Sequence, residues 1–462
     1  MNPQITAKFE ELPKLLEEIS RNLRQNQGMK SAEDSILNWV NGLAGLILDV
    51  GLEDFPEPCS ENRIQVDGKT LHYKSTQKRR IRDRFGQVHT LRRRVYRERG
   101  EEPGSAVCIP KDDALGLCPK GEASPGLEFV VDSLAACEPY FPVSQWLKTL
   151  FQIDFGPTGV QKTAERSGQL IGGKVEDLVS PEWQTEPCDT MIVTADATGS
   201  PRIADAPITE RGRPGLSNPT VSKMCTLIQV EKFLNPLPPR KTFDDDPPRP
   251  DRCVTVGSYA DRGFDEVDRL LRNVTLRAGR NCARQIAFKG DGLASNWRLC
   301  DDYFPNAVQI LDPYHALEHL ATFARITHKL APEQPLPAIF DSWKRTLLEG
   351  DILNLLENLR VRIKHARPSD RSRARSELDY FRSNAHRMEY DRYLEMGVPI
   401  GTGNIESAAK RVIAARFKKQ GMRWRAQDNR AILHLRLHLI NGSLGRMFDQ
   451  RARHRWDITQ AA

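Results

Sequence analysis

The chain has 462 residues, of which 39% are hydrophobic and 28% charged, and its formal net charge is +7. This length and composition exclude a single small domain and predict two to four folding units with buried cores. No run approaches the roughly 18 apolar residues that span a bilayer, and the N-terminal residues lack the basic-then-apolar order of a secretory signal, so we expect no membrane association.

Apolar spacing predicts helices over residues 5–55. Between 62 and 99 the residue types alternate around Asp67-Gly68 and Phe85-Gly86, which predicts β-hairpins. Residues 126–180 are predicted to be helical again. Within them, VSQWLKTLF and VQKTAERSGQLIGG flank an FGPTG break, the spacing of a DNA-reading helix-turn-helix and equally of any short helical hairpin.

From residue 189 the pattern changes to strands. DTMIVTADATGSPRI, KMCTLIQVEKF and CVTVGSYAD are three apolar runs, and helices then alternate with two further strands, RQIAFKG and NAVQIL. This order predicts an α/β protein with a mixed sheet. The proline-rich segment at 235–251 is predicted to be a long exposed loop or insertion. Residues 331–398 carry no strand signal and form an all-helical insertion.

Three carboxylates stand at positions suited to metal chemistry. Asp196 and Asp291 each occur where a predicted strand ends, and Glu406 opens a late helix. The ends of strands in an α/β sheet hold ligands, although an aspartate near glycine is also a common turn residue. Three such carboxylates could hold two Mg²⁺ or Mn²⁺ ions about 4 Å apart for in-line displacement at phosphorus.

The helix that carries Glu406 has an apolar stripe from Ile405 to Ile413, and Thr402 or Asn404 can cap it. Glu406 stands beside that stripe, where it could face the two aspartates. A simple surface ion pair between Glu406 and Lys410 is the alternative interpretation.

Cations concentrate in three runs, at 78–99, Lys410 to Arg425, and Arg446 to Arg455, with aromatic residues interleaved in the first two. Such runs can be solvated faces, but three of them favour a polyanion, with nucleic acid as the leading partner. The predicted DNA-binding residues are Arg79, Arg80, Arg82, Arg92, Arg93, Arg94, Lys410, Arg411, Arg416, Lys418, Lys419, Arg423, Trp424 and Arg425.

Several motifs together resemble a known family. The strings ILDPYHALEHL (310–320), GTGNIES (401–407) and GMRW (421–424) stand downstream of Asp196 and of the GDG that contains Asp291. They resemble DDE transposases of the ISKra-type bacterial insertion-sequence family, relatives of the Mutator-like superfamily. The resemblance covers 186–440 well and the N-terminal half loosely.

The resemblance implies a transposase that cleaves the ends of a mobile element and transfers strands into target DNA. Asp196, Asp291 and Glu406 would be its catalytic, metal-binding triad, with two Mg²⁺ or Mn²⁺ ions, on an RNase H-like fold. It also implies double-stranded DNA as partner, a homo-oligomer on DNA, and a cytoplasmic, nucleoid-associated location. The implied organisation is a helical region (1–60), a basic hairpin and helical DNA-binding region (61–185), a first part of the catalytic core (186–330), a helical insertion (331–398), a second part of the core (399–445) and a basic tail (446–462).

Asp312 and His315 have two interpretations. Asp-Pro before a helical run is a typical N-cap followed by proline in the first turn, whereas the resemblance implies a role supporting the triad. His315, Glu318 and His319 also spell the inverted zinc-protease motif. A third zinc ligand would have to come from Glu349, Glu357 or Glu377.

Members of the family often carry a cysteine zinc motif ahead of the catalytic domain, but here only Cys59 and Cys108 fall in that region. A tetrahedral site requires four ligands, so a zinc site is not expected. The nine dispersed cysteines predict reduced thiols in an intracellular protein. The alternatives to a transposase are an RNase H-like nuclease without strand transfer and a domesticated DNA-binding protein without catalysis.

Overall fold

The computed structural model describes residues 2–24, 28–66, 68–98, 107–203, 220–243, 245–259, 261 and 263–450. The chain divides into two compact units. The first, the N-terminal unit, comprises Met1–Gly172 with Arg430–Ala462, and the second, the sheet unit, comprises Gly173–Asn429. The six-segment organisation predicted from sequence is a finer division than this one.

The N-terminal unit begins with helices, continues with a small sheet and returns to helices, as the sequence predicts. Its elements are α1 (Pro3–Glu10), α2 (Leu12–Arg24), α3 (Gly28–Glu53), β1 (Arg63–Val66), β2 (Lys69–Arg82), β3 (Val88–Arg97), α4 (Pro110–Ala114), α5 (Pro125–Ala135), α6 (Tyr140–Phe151) and α7 (Pro157–Ile171). The three strands form an antiparallel sheet in the order β1-β2-β3, which confirms the predicted hairpins; residue 67 of the first turn lies outside the described residues.

Helix α3 is long enough and apolar enough to cross a membrane. An 18-residue window within Met29–Glu53 has a mean hydropathy of 1.4, and 6% of that window is buried. Core helices of soluble proteins and signal sequences meet the same criterion, so length and composition do not decide between these roles. This helix is an exception to the prediction that no segment approaches the length of a membrane span.

The sheet unit alternates strands and helices and then becomes wholly helical. Its elements are α8 (Val175–Leu178), β4 (Cys188–Ile203), β5 (Thr220–Phe233), β6 (Arg252–Ser258), α9 (Phe264–Arg277), β7 (Ala283–Gly290), α10 (Ala294–Tyr303), β8 (Val308–Leu311), α11 (Pro313–His328), α12 (Ile339–Leu348), α13 (Ile352–Arg362), α14 (Arg371–Ser383), α15 (Tyr390–Glu395), α16 (Gly403–Ala409), α17 (Ala415–Phe417) and α18 (Ala426–Ile440), the last of which continues into the N-terminal unit.

The five strands form one mixed sheet in the order β6-β5-β4-β7-β8. The first three strands run antiparallel to their neighbours, whereas β7 is parallel to β4 and β8 is parallel to β7. Strand β4 is central, and its run Met191–Val193 is completely buried because both faces of the sheet's middle are covered. The predicted mixed α/β sheet is confirmed.

Helices α12 to α15 fill the region predicted to be an all-helical insertion, and the described structure contains no strand between 331 and 398. Helix α14 packs against α11, the helix that follows the last strand of the sheet. The insertion also reaches the turn after β7, where Tyr380 of α14 lies close to Gly292.

Candidate active site at the edge of the mixed sheet

Asp196 lies on the central strand, opposite Leu227 of β5. The pairing of β4 with β7 ends two residues earlier, at Thr194 opposite Lys289. The sequence predicted that strand β4 ends at Asp196, but β4 continues to Ile203, because β5 pairs with it from Thr190 to Ile203. Asp196 is thus placed beyond the end of β7, and the Asp196 Oδ1 accepts a hydrogen bond from the Ala197 N–H at 2.7 Å.

Asp291 directly follows β7, as predicted. Its Oδ1 accepts hydrogen bonds from the Leu293 N–H at 3.1 Å and from the Asn296 side-chain amide at 3.0 Å, which fix the turn into α10. Gly292 has a φ of +92°, and a Cβ there would lie 2.8 Å from the Tyr380 hydroxyl. The turn therefore requires glycine for its backbone conformation and for the close approach of Tyr380.

Glu406 lies in the first turn of α16, as predicted, with an exposed side chain. The apolar stripe is also found, since Ile405, Val412 and Ile413 are buried. Thr402 occupies the N-cap position but its side chain makes no capping bond. The helix changes to a π-helical turn over Lys410–Ala414, a local distortion that is often found at functional sites.

Carboxylates that are distant in sequence act on Asp196 through their negative charges. The pKa of Asp196 is raised, first by burial and then by the negative charges of Asp291, Glu406 and Asp312, while the Ala197 N–H lowers it. A carboxylate among like charges is held at a cost that a cation would relieve. Asp291, Glu406 and Asp312 are therefore near enough to Asp196 for their charges to act on it, and the role of the three predicted carboxylates as a metal-binding triad stays a prediction.

The chemistry of these donors fits a hard divalent cation, which prefers carboxylate oxygens. Among the described residues, however, no group of three or more His, Cys, Asp or Glu side chains is arranged so that it could hold a metal ion. The donor set is therefore suitable in type, but its side chains do not form a complete coordination shell in this conformation.

Asp312 is buried and serves as the N-cap of α11, accepting hydrogen bonds from Tyr314 N–H and His315 N–H, both at 3.4 Å. The predicted N-cap is thus confirmed. Asp312 also accepts a hydrogen bond from the Thr402 N–H at 3.3 Å. Because Thr402 immediately precedes α16, the Asp312 side chain connects the start of α11 to the start of the helix that carries Glu406.

The histidines of α11 contact α14 of the helical insertion. His319 Nδ1 lies 2.7 Å from Glu377 Oε2, and the His319 ring stacks on Tyr380 with 3.7 Å between the ring centroids. His315 Nδ1 lies 3.5 Å from Glu318 Oε2. Glu377, one of the three possible third ligands, does reach His319, but these side chains are not among any group that could hold a metal in the described structure.

Tyr380 was not identified from the sequence. Burial and the charges of Asp291 and Asp312 raise the pKa of this tyrosine well above its usual value, so it stays neutral. Its hydroxyl is buried and makes no hydrogen bond within the described residues. Because Tyr380 lies on a helix far from the motifs, nothing in the sequence indicates that it lies near the carboxylates.

A buried polar layer supports the segment that leads into Glu406. The Lys289 ammonium, fully buried on β7, donates a hydrogen bond to the Gly401 carbonyl at 3.0 Å and lies 3.9 Å from Glu231 Oε2 on β5. Burial lowers the pKa of Lys289, whereas the charge of Glu231 opposes that effect. The side-chain amide of Asn404 donates to Glu231 Oε1 at 2.6 Å. Asn404 therefore bonds the sheet and does not cap its helix.

The cations after Glu406 divide into exposed and buried ones. The side chains of Lys410, Arg411, Lys418, Arg423 and Arg425 are exposed, and Lys419 is partly exposed. Arg416 and Trp424 are buried, with the Arg416 guanidinium 4.7 Å from the centroid of the Trp424 ring. These two were predicted to bind DNA, and the structure corrects that assignment, because their cation–π contact is part of the core.

The basic hairpin of the N-terminal unit divides in the same way. Arg79 is buried and donates to Asp112 at 2.7 Å, and Arg93 pairs with the same carboxylate, so both are structural and not free to bind DNA. Arg82 donates to the Gly86 carbonyl at 3.0 Å, and Arg94 lies 4.2 Å from the centroid of the Tyr73 ring. Arg80 and Arg92 are exposed.

The aromatic residues in the basic runs do not form a stacking surface. Tyr96, Phe417 and Trp424 are buried, and Phe85 is half-buried. Of the third basic run, residues 451–455 lie outside the described residues. The nine cysteines, all of them among the described residues, form no disulfide with one another.

Comparison of the chain with models of protein families gives no match, and a search among curated proteins gives none either.

Proposed function

We propose that this chain is a DDE-type transposase that cleaves DNA at the ends of an insertion sequence and joins those ends to target DNA. The observation that carries the proposal is the placement of the carboxylates: Asp196 lies just beyond the end of the β4–β7 pairing, Asp291 directly follows β7, and the helix of Glu406 packs against β4 and β5. The charges of Asp291 and Glu406 add to the burial that raises the pKa of Asp196. Structural ion pairs normally place a cation beside a buried carboxylate, whereas here the carboxylates act on one another. Like charges gathered at a sheet edge are typical of a site that binds a cation.

The sheet supports an RNase H-like core. Three antiparallel strands come first, and two parallel strands are then added on the other side of the first strand, in the order β6-β5-β4-β7-β8. In the proposed core, Asp196 lies on the first strand, Asp291 follows the fourth, and Glu406 comes from a helix after a helical insertion. The resemblance of ILDPYHALEHL, GTGNIES and GMRW to the ISKra-type family independently supports the same assignment.

In this proposal Asp196, Asp291 and Glu406 hold Mg²⁺ or Mn²⁺, which when bound supplies Lewis acidity and lowers the pKa of water. Glu406 has an exposed side chain and would supply the third carboxylate. Asp312 positions Glu406 through its bond to Thr402. Lys289 positions the same segment through Gly401.

The exposed cations beyond Glu406 support DNA as the substrate. Lysines and arginines that contact phosphates fix the register of a duplex without reading its sequence. The proposal includes a homo-oligomer that pairs two DNA ends and a cytoplasmic, nucleoid-associated location, both implied by the family resemblance.

The test uses duplex DNA carrying the sequence that flanks the gene, incubated with the full chain and Mg²⁺ or Mn²⁺. The wild type is expected to cleave this DNA and to join a pre-cut 3′-hydroxyl end to a plasmid. Asp196→Asn is expected to bind the DNA normally and to cleave at least about a thousandfold more slowly, the order of loss on removing one member of a catalytic unit. Glu357→Gln, an exposed change on α13, is the control.

The outcomes separate the rival functions. Cleavage without a joined product would identify a nuclease, and binding without cleavage by the wild type would identify a DNA-binding protein without catalysis. If Asp196→Asn cleaves like the wild type, the assigned carboxylates are not the catalytic ones.

A further inference from the structure

Described residues of the proline-rich segment between β5 and β6 make hydrogen bonds within the sheet unit. The Leu234 N–H donates to the Asp251 carboxylate at 2.8 Å, which closes the base of the loop. Further along, the Arg240 N–H donates to the Leu394 carbonyl of α15 at 2.8 Å. Gly397 has a φ of +72° and lies so close to the Pro238 carbonyl that a Cβ there would be only 2.4 Å from it. The loop is therefore hydrogen-bonded at its base and contacts α15 and Gly397 further along.

This loop forms one wall of a pocket whose other wall is the segment leading to Glu406. The pocket has a volume of about 290 Å³. The loop contributes Arg240, Phe243 and the turn at Asp245–Pro247, and the opposite wall consists of Pro399 to Gly401, Gly403 and Asn404. Tyr314, two residues after the Asp312 N-cap, stands between the two walls.

The side chains of the pocket suit a planar, uncharged group. Phe243 and Tyr314 meet edge to face with 5.4 Å between the ring centroids, and 51% of Tyr314 is exposed, so ring surface is open to a ligand. The Nε of Arg240 is buried and has no hydrogen-bond partner among the described residues. The same guanidinium donates from Nη2 to the Phe243 carbonyl at 3.2 Å, so Arg240 supports the backbone that carries Phe243.

Negative charge disfavours a phosphate in this pocket. The N–H groups of Thr242 and Lys241 bond the Asp245 carboxylate and lower its pKa, so that it is ionised at neutral pH. Asp246 also lines the pocket. The volume is near the lower limit of about 300 Å³ for small-molecule sites, which suits one ring system better than a longer chain.

We propose that this pocket binds a single unstacked nucleobase of a DNA strand held at the carboxylate site. The inference rests on the proposed function, because Gly401, Gly403 and Asn404 line the pocket and also lead to Glu406. A base stacked on the exposed face of the Tyr314 ring, whose position Phe243 supports edge to face, fixes the strand independently of sequence.

The experiment compares the affinity of the full chain for two labelled single strands by fluorescence anisotropy in EDTA, which prevents metal-dependent cleavage. One is a thymidine dodecamer, and the other is the abasic strand of the same length. We expect the wild type to bind the base-bearing strand roughly 5- to 150-fold more tightly, the range that stacking of one base on an aromatic ring provides. Tyr314→Ala and Phe243→Ala are expected to lose most of this preference.

Tyr314→Phe is the matched control, because it keeps the ring face and removes only the hydroxyl, and it should retain the preference. Leu353→Ala, a highly exposed change on α13, should also leave it unchanged. Equal affinity of the wild type for both strands, or a preference that survives Tyr314→Ala, would overturn the inference.

The base preference is measured in EDTA without cleavage, so it tests the pocket separately from the proposed cleavage and joining of DNA. A chain that cleaves DNA but shows no base preference through Tyr314 loses only the base pocket. A chain that prefers bases through Tyr314 but never cleaves retains the pocket and loses the transposase assignment.

Discussion

The Lys289 ammonium donates a hydrogen bond to the Gly401 carbonyl across 3.0 Å, and so joins the strand before Asp291 to the segment before Glu406. Asp291 and Glu406 are separated in sequence by the whole helical insertion, and this hydrogen bond connects the segments that precede them. Glu231 and Asn404 complete the same buried layer. The geometry of the site thus depends on a charged pair inside the sheet unit.

Lys289→Met is expected to destabilise the fold by about 3–5 kcal/mol, because it leaves the buried Glu231 carboxylate without its cation. The double variant Lys289→Met/Glu231→Gln should recover most of this loss, since no unpaired charge remains. Chemical denaturation of the single and double variants measures both. A single variant as stable as the wild type would show that Lys289 and Glu231 are not coupled.

Asp196→Asn is expected to stabilise the folded chain at pH 7 without divalent ions, by about 0.5–2 kcal/mol, the usual range when an unfavourable charge at a functional site is removed. The folded pKa of Asp196 is raised, so its favourable contribution is complete below the unfolded value near 3.8 and is lost as pH rises through the folded pKa. The gain from asparagine should therefore disappear toward pH 3. Chemical denaturation of the wild type and of Asp196→Asn between about pH 3 and pH 8 measures this difference in the free energy of unfolding.

Asp189, on the same strand, provides a control of opposite sign. A hydrogen bond from Arg284 lowers the pKa of Asp189, so its stabilising contribution is present above about 3.8 and is lost as pH falls. Asp189→Asn should therefore reduce stability at pH 7. A similar gain from both asparagine substitutions would contradict the electrostatic account of Asp196.

The N-terminal unit has its own pH dependence at His89, which is buried between Asp49 and Asp83. The hydrogen bond to Asp83 is the largest cause that raises the pKa of His89, and Asp49 adds to it against the effect of burial. This stabilisation is complete below about pH 6.5 and is lost as pH rises through the folded pKa. Hydrogen exchange in residues 69–97 should accelerate over that rise beyond its intrinsic pH dependence.

His89→Gln should remove this extra pH dependence, and Asp49→Asn should reduce it while leaving the bond to Asp83 in place. Local hydrogen exchange is the suitable measurement, because a chain of two units need not unfold in one step. An unchanged pH profile in His89→Gln would exclude the histidine as its source.

The sequence predicted the strands of the mixed sheet and the helices around them well, because apolar runs of strand length and helical spacing are local signals. It failed where the outcome depends on distant partners. The continuation of β4 past Asp196 follows from pairing with β5. The burial of Arg416 follows from its contact with Trp424.

The same reason explains what the sequence missed at the site. Asp196, Asp291 and Glu406 could be found because motifs surround them. Lys289 and Glu231 lie within strands, where a charged residue is normally taken for an exposed position. Tyr380 reaches the site from the helical insertion, and no spacing rule connects residues on α14 to the turn after β7.

The division of the basic hairpin into exposed and buried arginines leads to a prediction about DNA binding. Lys78 faces Arg92 across the strands, and Arg80 faces Thr90. The side chains of Lys78, Arg80 and Arg92 are exposed. Like charges opposite each other destabilise a sheet, whereas a bound polyanion would neutralise them. The double variant Arg80→Gln/Arg92→Gln should therefore weaken DNA binding without loss of stability.

If each of these arginines contacts one phosphate, the slope of log Kd against log salt concentration should fall by about two, one for each lost contact. Titrations of a duplex at several salt concentrations measure the slope. Arg79→Gln is the contrasting variant, because it removes the buried hydrogen bond to Asp112, which Arg93 still neutralises, and it should cost stability first, about 1–3 kcal/mol. A salt dependence that stays the same after Arg80 and Arg92 are both changed would mean that the DNA binds elsewhere on the chain.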